Sequence, residues 1–330
     1  MIISRAPLRI SLGGGGTDLP SYYEKREGFL IAGAINKHVY VGANHQFYDN
    51  YSLKYSKIEI KKNIHDIEHP LFREAIRLLK IKPGIELTSL ADVPAGTGLG
   101  SSGSFLVALL NTLHYHKYGE VHLKRTLAEE ACQIEIDILK EHEGKQDPYA
   151  SAMGGIRAYK FHKPGGVSII PLENEDLVRH NLEEKLLLFF SGKKREGTAS
   201  DILKKHDNKM KKNKEETLKY MDEIKDIGKA SFEFLQEGNF EAFGCLMHKH
   251  WCIKKKYSPE STSKEINSIY DFALDRGALG GKVVGAGGGG FLMFYHPGPS
   301  TARWDFIKDM EEVGYKQMEF KFDIEGVTKI

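Results

Sequence analysis

A glycine- and serine-rich loop limits what this chain can fold into more than any other segment. The sequence PAGTGLGSSGS occupies residues 94–104. Residues 84–90 before it alternate between apolar and polar positions, which predicts a strand, and the apolar run that opens at Phe105 predicts a helix. The loop therefore ends at a helix N-terminus, where free backbone N–H groups and the helix dipole favour a bound anion.

The composition of the loop suits a phosphate. Glycine lets the backbone approach a bulky phosphate closely, and the serine hydroxyls can cap the helix or reach a metal ion bound to that phosphate. A serine-capped linker is the alternative, but further glycine-rich segments at 13–16 and 285–290 disfavour it. The residues predicted to hold the phosphates are Pro94, Gly96, Gly98, Leu99, Gly100, Ser101, Ser102, Gly103 and Ser104.

Two familiar nucleotide motifs do not explain the loop. The P-loop pattern GxxxxGK[ST] is absent from the sequence. The GxGxxG spacing occurs at 98–103 and at 285–290, but the first is followed by two helices and the second by a strand. A dinucleotide fingerprint needs a helix and then a strand that ends in an acidic residue, so neither match supports one.

The bulk composition is that of a globular protein. The 330 residues are 41% apolar and 28% charged, enough for two domains or one large one. The formal net charge of +2 disfavours a dedicated nucleic-acid binder. The cysteines Cys132, Cys245 and Cys252 lack a CxxC spacing and are predicted to be free thiols. No apolar run is long enough for a membrane span, and we predict a cytoplasmic protein.

The apolar periodicity predicts strands in the first 60 residues and a mixture of helices and strands after them. In the predicted helix over 123–140, Leu127, Ala131, Ile134 and Ile138 mark the buried stripe. Domains are predicted at 1–165 and 166–330. The other predicted helices are at 69–80, 103–117, 240–256 and 263–276, and strands are predicted at 185–190, 291–295 and 318–322.

Two carboxylates are candidates for phosphoryl-transfer chemistry. Such a site needs a phosphate cradle, a divalent cation, a group that positions the nucleophile, and positive charge near the transferred group. Glu135 lies roughly 70° from the centre of the buried stripe at about 100° per residue, where a side chain can point into a cleft. Asp147 follows in a GKQDP turn. Without further context, the favoured explanations are a solvated helix glutamate for Glu135 and an ordinary turn aspartate for Asp147.

Three motifs in order resemble those of the GHMP kinases, the superfamily of galacto-, homoserine, mevalonate and phosphomevalonate kinases. They are APLRISLGGGGTD at 6–18, PAGTGLGSS at 94–102 and KVVGAGGGG at 282–290. The resemblance implies an α+β fold with the two-domain GHMP kinase architecture. The N-terminal domain would be like domain 2 of ribosomal protein S5, the C-terminal domain would be ferredoxin-like, and the active site would lie between them.

The resemblance also implies roles for individual residues. ATP and Mg²⁺ would be the cofactors, with Ser102 and Glu135 as metal ligands. Asp147 would accept or orient the proton of the attacking hydroxyl, and Arg9 would offset charge near the transferred phosphoryl group. The twelve positions from Glu135 to Asp147 match the spacing between metal glutamate and catalytic aspartate in galactokinase-like members. The third motif would pack against the second and shape the cleft.

Within the superfamily, GGGGTD, GKQD and His250-Trp251 resemble the heptose kinases. This implies phosphorylation of the anomeric hydroxyl of D-glycero-D-manno-heptose 7-phosphate to the 1,7-bisphosphate, a step towards nucleotide-activated heptose. Lys193 and Arg195 would bind the sugar phosphate, although a solvated basic loop explains them equally well. The other residues predicted to contact the sugar are Gly16, Thr17, Asp18, Gly288 and Gly289.

Other functions remain open on the sequence. A kinase for fucose or galactose has the same motifs, and a non-catalytic nucleotide or sugar sensor could use the same fold. Intact Ser102, Glu135 and Asp147 disfavour the sensor. An RNA-binding protein like ribosomal S5 is disfavoured by the near-neutral charge. The predicted partner is a small-molecule sugar phosphate, with neither nucleic acid nor membrane, and the choice between monomer and homodimer is open.

Overall fold

The computed structural model describes residues 1–120, 122–192, 201–205 and 214–330, which form two β-sheets covered by helices. The strands are β1 Ile2–Gly13, β2 Gly28–His45, β3 Tyr51–Lys54, β4 Ile58–Lys61, β5 Ile85–Ala91, β6 Ile156–Phe161, β7 Val167–Pro171, β8 Leu186–Phe190, β9 Gly280–Val283, β10 Phe291–Tyr295, β11 Lys316–Gln317 and β12 Thr328–Lys329. The helices are α1 Pro20–Tyr23, α2 Pro70–Leu78, α3 Ser101–Tyr118, α4 Lys124–Cys132, α5 Gln146–Met153, α6 Glu175–Lys185, α7 Lys214–Glu237, α8 Phe240–Tyr257, α9 Lys264–Asp275 and α10 Ser300–Glu312.

The first sheet is built around two long antiparallel strands, β1 and β2. Because β2 has 18 residues, its other edge has room for β6 along 28–33 and for β5 along 39–45. The strand order is β12-β1-β2-β5-β3-β4, with the β6–β7 hairpin paired to β2. Helix α3 is apolar around most of its surface and is buried in this domain, which fixes the position of its N-terminus.

The second sheet is antiparallel, with the order β11-β8-β10-β9. Its core is aromatic and includes Trp251, Phe294 and Phe306. Helices α9 and α10 cover this core, and α8 packs beside β9. The predicted α+β architecture is therefore confirmed.

The end of the chain returns to the first sheet. The amide of Met318 donates to Leu188 in the second sheet, and the amide of Asp323 donates to Ala34 in the first. The predicted strand at 318–322 is therefore wrong: Lys316–Gln317 pairs with β8, and the chain then crosses between the sheets. Its alternating apolar side chains, Phe320 and Phe322, are buried in the core of the first domain.

The pairing of β7 moves the predicted domain boundary. The boundary at residue 165 falls within the β6–β7 hairpin, both strands of which belong to the first sheet. The change of sheet lies between Pro171 and Leu186, and the final residues rejoin the first sheet through β12. The boundary therefore cannot be drawn as a single cut of the chain.

The predicted helix over 123–140 changes geometry partway along. Helix α4 continues as a π-helical turn over Gln133–Ile138. A π turn accommodates an extra residue, so the side chains beyond it rotate around the axis. Leu127 and Ile134 are buried as predicted, whereas Ile138 is 41% exposed. The π turn contains Glu135 and sets the direction of its side chain.

All three cysteines are free thiols, as predicted. Among the described residues, no helix has both the length and the apolar character that crossing a bilayer requires.

Candidate active site

A cavity of about 790 Å³ lies where the two sheets meet. Residues from all three glycine-rich segments line it, together with the start of α3, the turn before α5, and parts of α8 and β9. Segments remote in sequence therefore converge on one concave surface, which is the usual form of a small-molecule site.

The second and third glycine-rich loops are in direct contact. A Cβ atom on Gly285 would lie 2.5 Å from the carbonyl oxygen of Gly98, and one on Gly290 would lie 2.2 Å from that of Thr97. Both glycines have positive φ, at +74° and +87°. No larger residue allows this approach without a shift, so the prediction that the third motif packs on the second is confirmed.

Arg9 and Asp147 form a bidentate ion pair in the lining of the cavity. The Arg9 Nε and Nη2 atoms donate to the two Asp147 carboxylate oxygens at 2.6 and 2.7 Å. The Arg9 Nη1 atom donates to the carbonyl of Gly98 at 2.7 Å, and the Arg9 amide donates to Leu99. Since Arg9 is 6% exposed, β1 holds both the glycine loop and the aspartate in fixed positions.

The predicted phosphate loop ends at α3 as expected. Gly100 has a φ of +78° and is the N-cap, so Ser101 and Ser102 occupy the first helical turn. The loop residues that line the cavity are Gly96, Gly98, Gly100, Ser101 and Ser102. The cavity wall does not include Pro94, Leu99, Gly103 or Ser104.

Two of these remaining residues hold the loop in shape. The Ser104 hydroxyl is buried and lies 2.8 Å from the carbonyl of Pro7, so it serves the packing of α3 on β1. Gly103 is buried against the turn before α5, and a Cβ atom there would lie 2.8 Å from the Cβ of Asp147. Both residues therefore support the shape of the loop, and their predicted contact with the phosphates stays a prediction.

Glu135 and Ser102 share a hydrogen bond between their side chains. Glu135 is 4% exposed, and burial raises the pKa of its carboxyl to about 8, with a further increase from nearby Asp147. A hydroxyl and a buried carboxylate side by side at a helix N-terminus offer the hard oxygen ligands that Mg²⁺ prefers. The residues present therefore fit the predicted metal site.

Asp18 and Thr17 have different environments. Asp18 lines the cavity, and its carboxylate accepts hydrogen bonds from the amides of Gly16 and Gln146 at 3.1 and 3.0 Å. Burial raises the pKa of this carboxyl. Thr17 is completely buried, with its hydroxyl 2.9 Å from the carbonyls of Gly14 and Phe29. Thr17 therefore fixes the first loop, and its contact with the sugar stays a prediction.

Other predicted sugar ligands fall into two groups. Gly16 lines the cavity. Gly288 and Gly289 do not, because the third loop turns away towards Ser261, whose carbonyl accepts from the amide of Gly288. Gly285 and Ala286 face the cavity in their place. The predicted phosphate ligands Lys193 and Arg195 lie outside the described residues.

Comparison with known proteins decides the family. The models for the GHMP kinases N terminal domain and GHMP kinases C terminal region match residues 69–155 and 231–303. D-glycero-alpha-D-manno-heptose 7-phosphate kinase of Campylobacter jejuni is 30% identical over 340 aligned positions, which cover 99% of this chain and 98% of that relative. The chain belongs to the GHMP kinase family.

Two further comparisons agree with this GHMP kinase fold. A crystal structure of a D-glycero-D-manno-heptose 1-phosphate kinase from Bacteroides thetaiotaomicron superposes with a TM-score of 0.80 at 23% identity, over 100% of this chain and 99% of the other. The L-fucokinase/L-fucose-1-P guanylyltransferase of Bacteroides fragilis is 26% identical, over 92% of this chain and 35% of that longer protein. The chain is an ATP-dependent carbohydrate kinase.

One acidic residue in the cavity of this GHMP kinase lies in none of its sequence motifs. Glu143 lines the cavity, and a Cβ atom on the next residue, Gly144, would lie 1.9 Å from an Asp18 carboxylate oxygen. Burial raises the pKa of the Glu143 carboxyl well above its usual range, and nearby Glu135 and Asp147 add to this. Its position four residues before Asp147 is the one feature of the sequence that could have indicated a place in the site.

The sequence also did not indicate an apolar part of the cavity. This part of the lining is formed by residues of the first domain. It includes the aromatic side chains of Tyr55, His69 and Phe105 with Leu90 and Val93. Such a surface suits a planar heterocycle, and it is spread over strands and helices too far apart in sequence to form a motif.

A basic wall completes the cavity. His250 and Lys254 are four residues apart on α8, and Lys282 lies on the neighbouring strand β9. His250 and Lys282 lie in segments that resemble those of the GHMP kinases, but the sequence predicted no role for either residue. All three residues are buried. The apolar periodicity of the sequence does not show that they face a cavity.

Proposed function

We propose that this kinase transfers the γ-phosphoryl group of ATP to the anomeric hydroxyl of D-glycero-D-manno-heptose 7-phosphate. The 30% identity to the Campylobacter heptose phosphate kinase over nearly the whole of both chains carries this proposal. The geometry supports it, because Asp147, Asp18 and the glycine loop line one cavity.

Asp147 positions and deprotonates the attacking hydroxyl in this proposal. Each carboxylate oxygen has two lone pairs, so the bidentate bonds from Arg9 leave lone pairs for the acceptor hydroxyl. Arg9 orients the carboxylate and places positive charge beside the transferred phosphoryl group. The transition state of phosphoryl transfer is loose, so positioning and charge stabilisation matter more than a strongly basic group.

Asp18 holds sugar hydroxyls in this proposal. Its two amide hydrogen bonds fix the carboxylate at the cavity wall, and its remaining lone pairs can accept from the acceptor. Glu143 is placed to contact the same ligand, because it lines the wall next to Asp18. Lys193 and Arg195 stay a prediction for an additional contact with the sugar phosphate, beside any ligands among the described residues.

Ser102 and Glu135 hold Mg²⁺ in this proposal, and the bound ion would neutralise charge on the phosphates of ATP. The amides of the glycine loop and the N-terminus of α3 bind the phosphates themselves. The apolar surface at Tyr55, Leu90 and Phe105 receives the adenine base. These assignments give each part of ATP a separate part of the cavity.

A screen for ADP release tests the acceptor. The purified kinase is incubated with Mg²⁺ and ATP and one of five acceptors: heptose 7-phosphate, unphosphorylated heptose, L-fucose, galactose or mevalonate. We expect the highest kcat/KM with heptose 7-phosphate. A higher value with L-fucose would favour the second candidate, a fucokinase, which the similarity to the Bacteroides fragilis protein supports.

A further inference from the structure

The basic wall formed by His250, Lys254 and Lys282 is built into the core of the enzyme. His250 and Lys282 are each 3% exposed, yet both line the cavity. The Lys254 ammonium donates to the carbonyl of Gly285 at 2.7 Å, which places it at the contact between the two glycine loops. Lysine side chains are seldom buried in this way without an anionic partner.

The charge on Lys282 is not balanced by neighbouring protein groups. The two charged groups that act on it are Lys254 and Arg9, both cations, and together with burial they lower its pKa well below the usual range. In the part of the chain that the structure describes, no carboxylate or carbonyl accepts a hydrogen bond from the Lys282 ammonium. A buried cation is costly unless it is paired, so an anionic ligand would stabilise this wall.

His250 adds a hydrogen-bonding group to the same wall. Its Nδ1 atom is buried and has no hydrogen-bond partner among the described residues. Burial lowers the pKa of this imidazole well below its usual range, and Lys282 and Lys254 lower it further. The ring is therefore neutral at physiological pH, and one of its nitrogens carries a hydrogen that can be donated to a ligand oxygen.

The cavity lining also contains acidic groups. Asp18 and Glu143 are among them, and Asp147 is neutralised by its pairing with Arg9. Neither Asp18 nor Glu143 brings positive charge to a phosphate on the acceptor, and in its ionised form each would repel the phosphate. In the proposed function, the phosphates of ATP are bound by the N-terminus of α3 and by the metal ion that Ser102 and Glu135 would hold. The basic wall is thus the remaining described surface with the charge to bind a phosphate.

We propose that Lys282, His250 and Lys254 form a second phosphate site, which binds the phosphate monoester of the acceptor sugar. This rests on the proposed function in so far as that function gives the acceptor a phosphate. Three donors converging on one dianion would anchor the sugar near the Arg9–Asp147 pair, since Arg9 is one of the charged groups that act on Lys282, and would limit which hydroxyl can reach Asp147. The site would therefore select phosphorylated acceptors.

The variant Lys282→Met tests the site, because it keeps the buried stem and removes the charge. We expect its KM for the phosphorylated acceptor to rise roughly tenfold or more, since bonds to charged groups are among the stronger ones. The KM values for the same sugar without phosphate and for ATP should stay within about twofold. The control is Lys256→Met, which removes an exposed charge from the same helix and should leave all three unchanged.

The results separate the acceptor from ATP as the source of the phosphate. A rise in the KM for ATP with an unchanged preference for the phosphorylated acceptor would overturn the assignment. A fall in kcat with both KM values unchanged would also overturn it, because it would place Lys282 at the transferred group. His250→Ala is a second variant in case the buried Lys282→Met chain does not fold, and the same rise in acceptor KM is expected.

Inorganic phosphate provides a probe that does not depend on the identity of the sugar. We expect it to compete with the acceptor in the wild-type kinase, and its inhibition constant to rise roughly tenfold in Lys282→Met. If heptose 7-phosphate is not a substrate while phosphate still competes at Lys282, the proposed function fails and the site stands. If phosphate does not compete with the acceptor in the wild-type kinase, the site is overturned.

Discussion

At the scale of single residues, the account depends most on Asp147. Its carboxylate is held from two sides by Arg9 and lies against Gly100 and Gly103 of the phosphate loop. Asp147→Asn keeps the shape but removes the proton acceptor and the charge. We expect kcat to fall by about 10²–10⁴. A calorimetric titration with ATP should show nearly unchanged affinity.

The matched control for this variant is Asp305→Asn, at an exposed position of α10. It should leave both kcat and ATP affinity unchanged. A normal kcat in Asp147→Asn would remove Asp147 from its proposed role.

The buried carboxyl of Glu135 should make the free energy of unfolding depend on pH. Burial raises its pKa from 4.5 to about 8 in the folded protein. Between those values the folded protein binds a proton that the unfolded chain has lost, so the free energy of unfolding falls as pH rises from about 5 to 8. Glu135→Gln lacks this titration and should become more stable than wild type at pH 8, by ~4 kcal/mol at most.

Urea unfolding of the metal-free protein at pH 5, 7 and 9 measures this difference. The wild type and Glu135→Gln should be most similar at pH 5 and diverge as pH rises. Parallel curves across the whole range would contradict the raised pKa of Glu135.

At the scale of elements, the contact between the two glycine loops is decisive. Gly285→Ala would put a Cβ atom 2.5 Å from the carbonyl of Gly98, at a φ of +74°. We expect the variant to lose about 1–3 kcal/mol of stability and to bind ATP more weakly, because the phosphate loop must shift. Thermal unfolding and the KM for ATP measure the two effects.

Gly314→Ala is the matched control for strain alone. Gly314 also has positive φ, at +94°, but a Cβ atom there meets nothing within 4 Å. It should lose stability without a change in the KM for ATP. Equal effects of both variants on that KM would contradict a specific role for the loop contact.

How far the sequence predicts the structure also differs between elements. Helix α3 and its preceding loop are local features, and they are found where the glycines and the apolar run predict them. The strand predicted at 318–322 is absent from these described residues, because the alternation of apolar side chains there reflects the burial of Phe320 and Phe322 in the core of the first domain. The π turn at Gln133–Ile138 was also not predictable, because a buried stripe of apolar residues is identified by assuming the 3.6-residue period of an α-helix.

At the scale of the whole molecule, the cavity combines groups that no single segment contains. Asp147, Arg9 and Ser102 were predictable because each lies in a motif. Glu143 lies in no quoted motif, and the role of Lys282 and His250, although they lie in quoted segments, depends on how the two sheets are placed against each other. Motifs indicated the phosphate chemistry, whereas the side of the cavity that meets the acceptor is formed by tertiary structure.

The position of the new phosphate is the most direct test of the central claim. Heptose 7-phosphate, ATP and Mg²⁺ are incubated with the wild-type kinase, with Asp147→Asn in parallel, and the products are followed by ³¹P nuclear magnetic resonance. We predict a second phosphomonoester signal coupled to the anomeric proton, formed in step with ADP and at least about 10²-fold more slowly with Asp147→Asn. ADP formed without that signal, or phosphate added at another hydroxyl, would contradict the account.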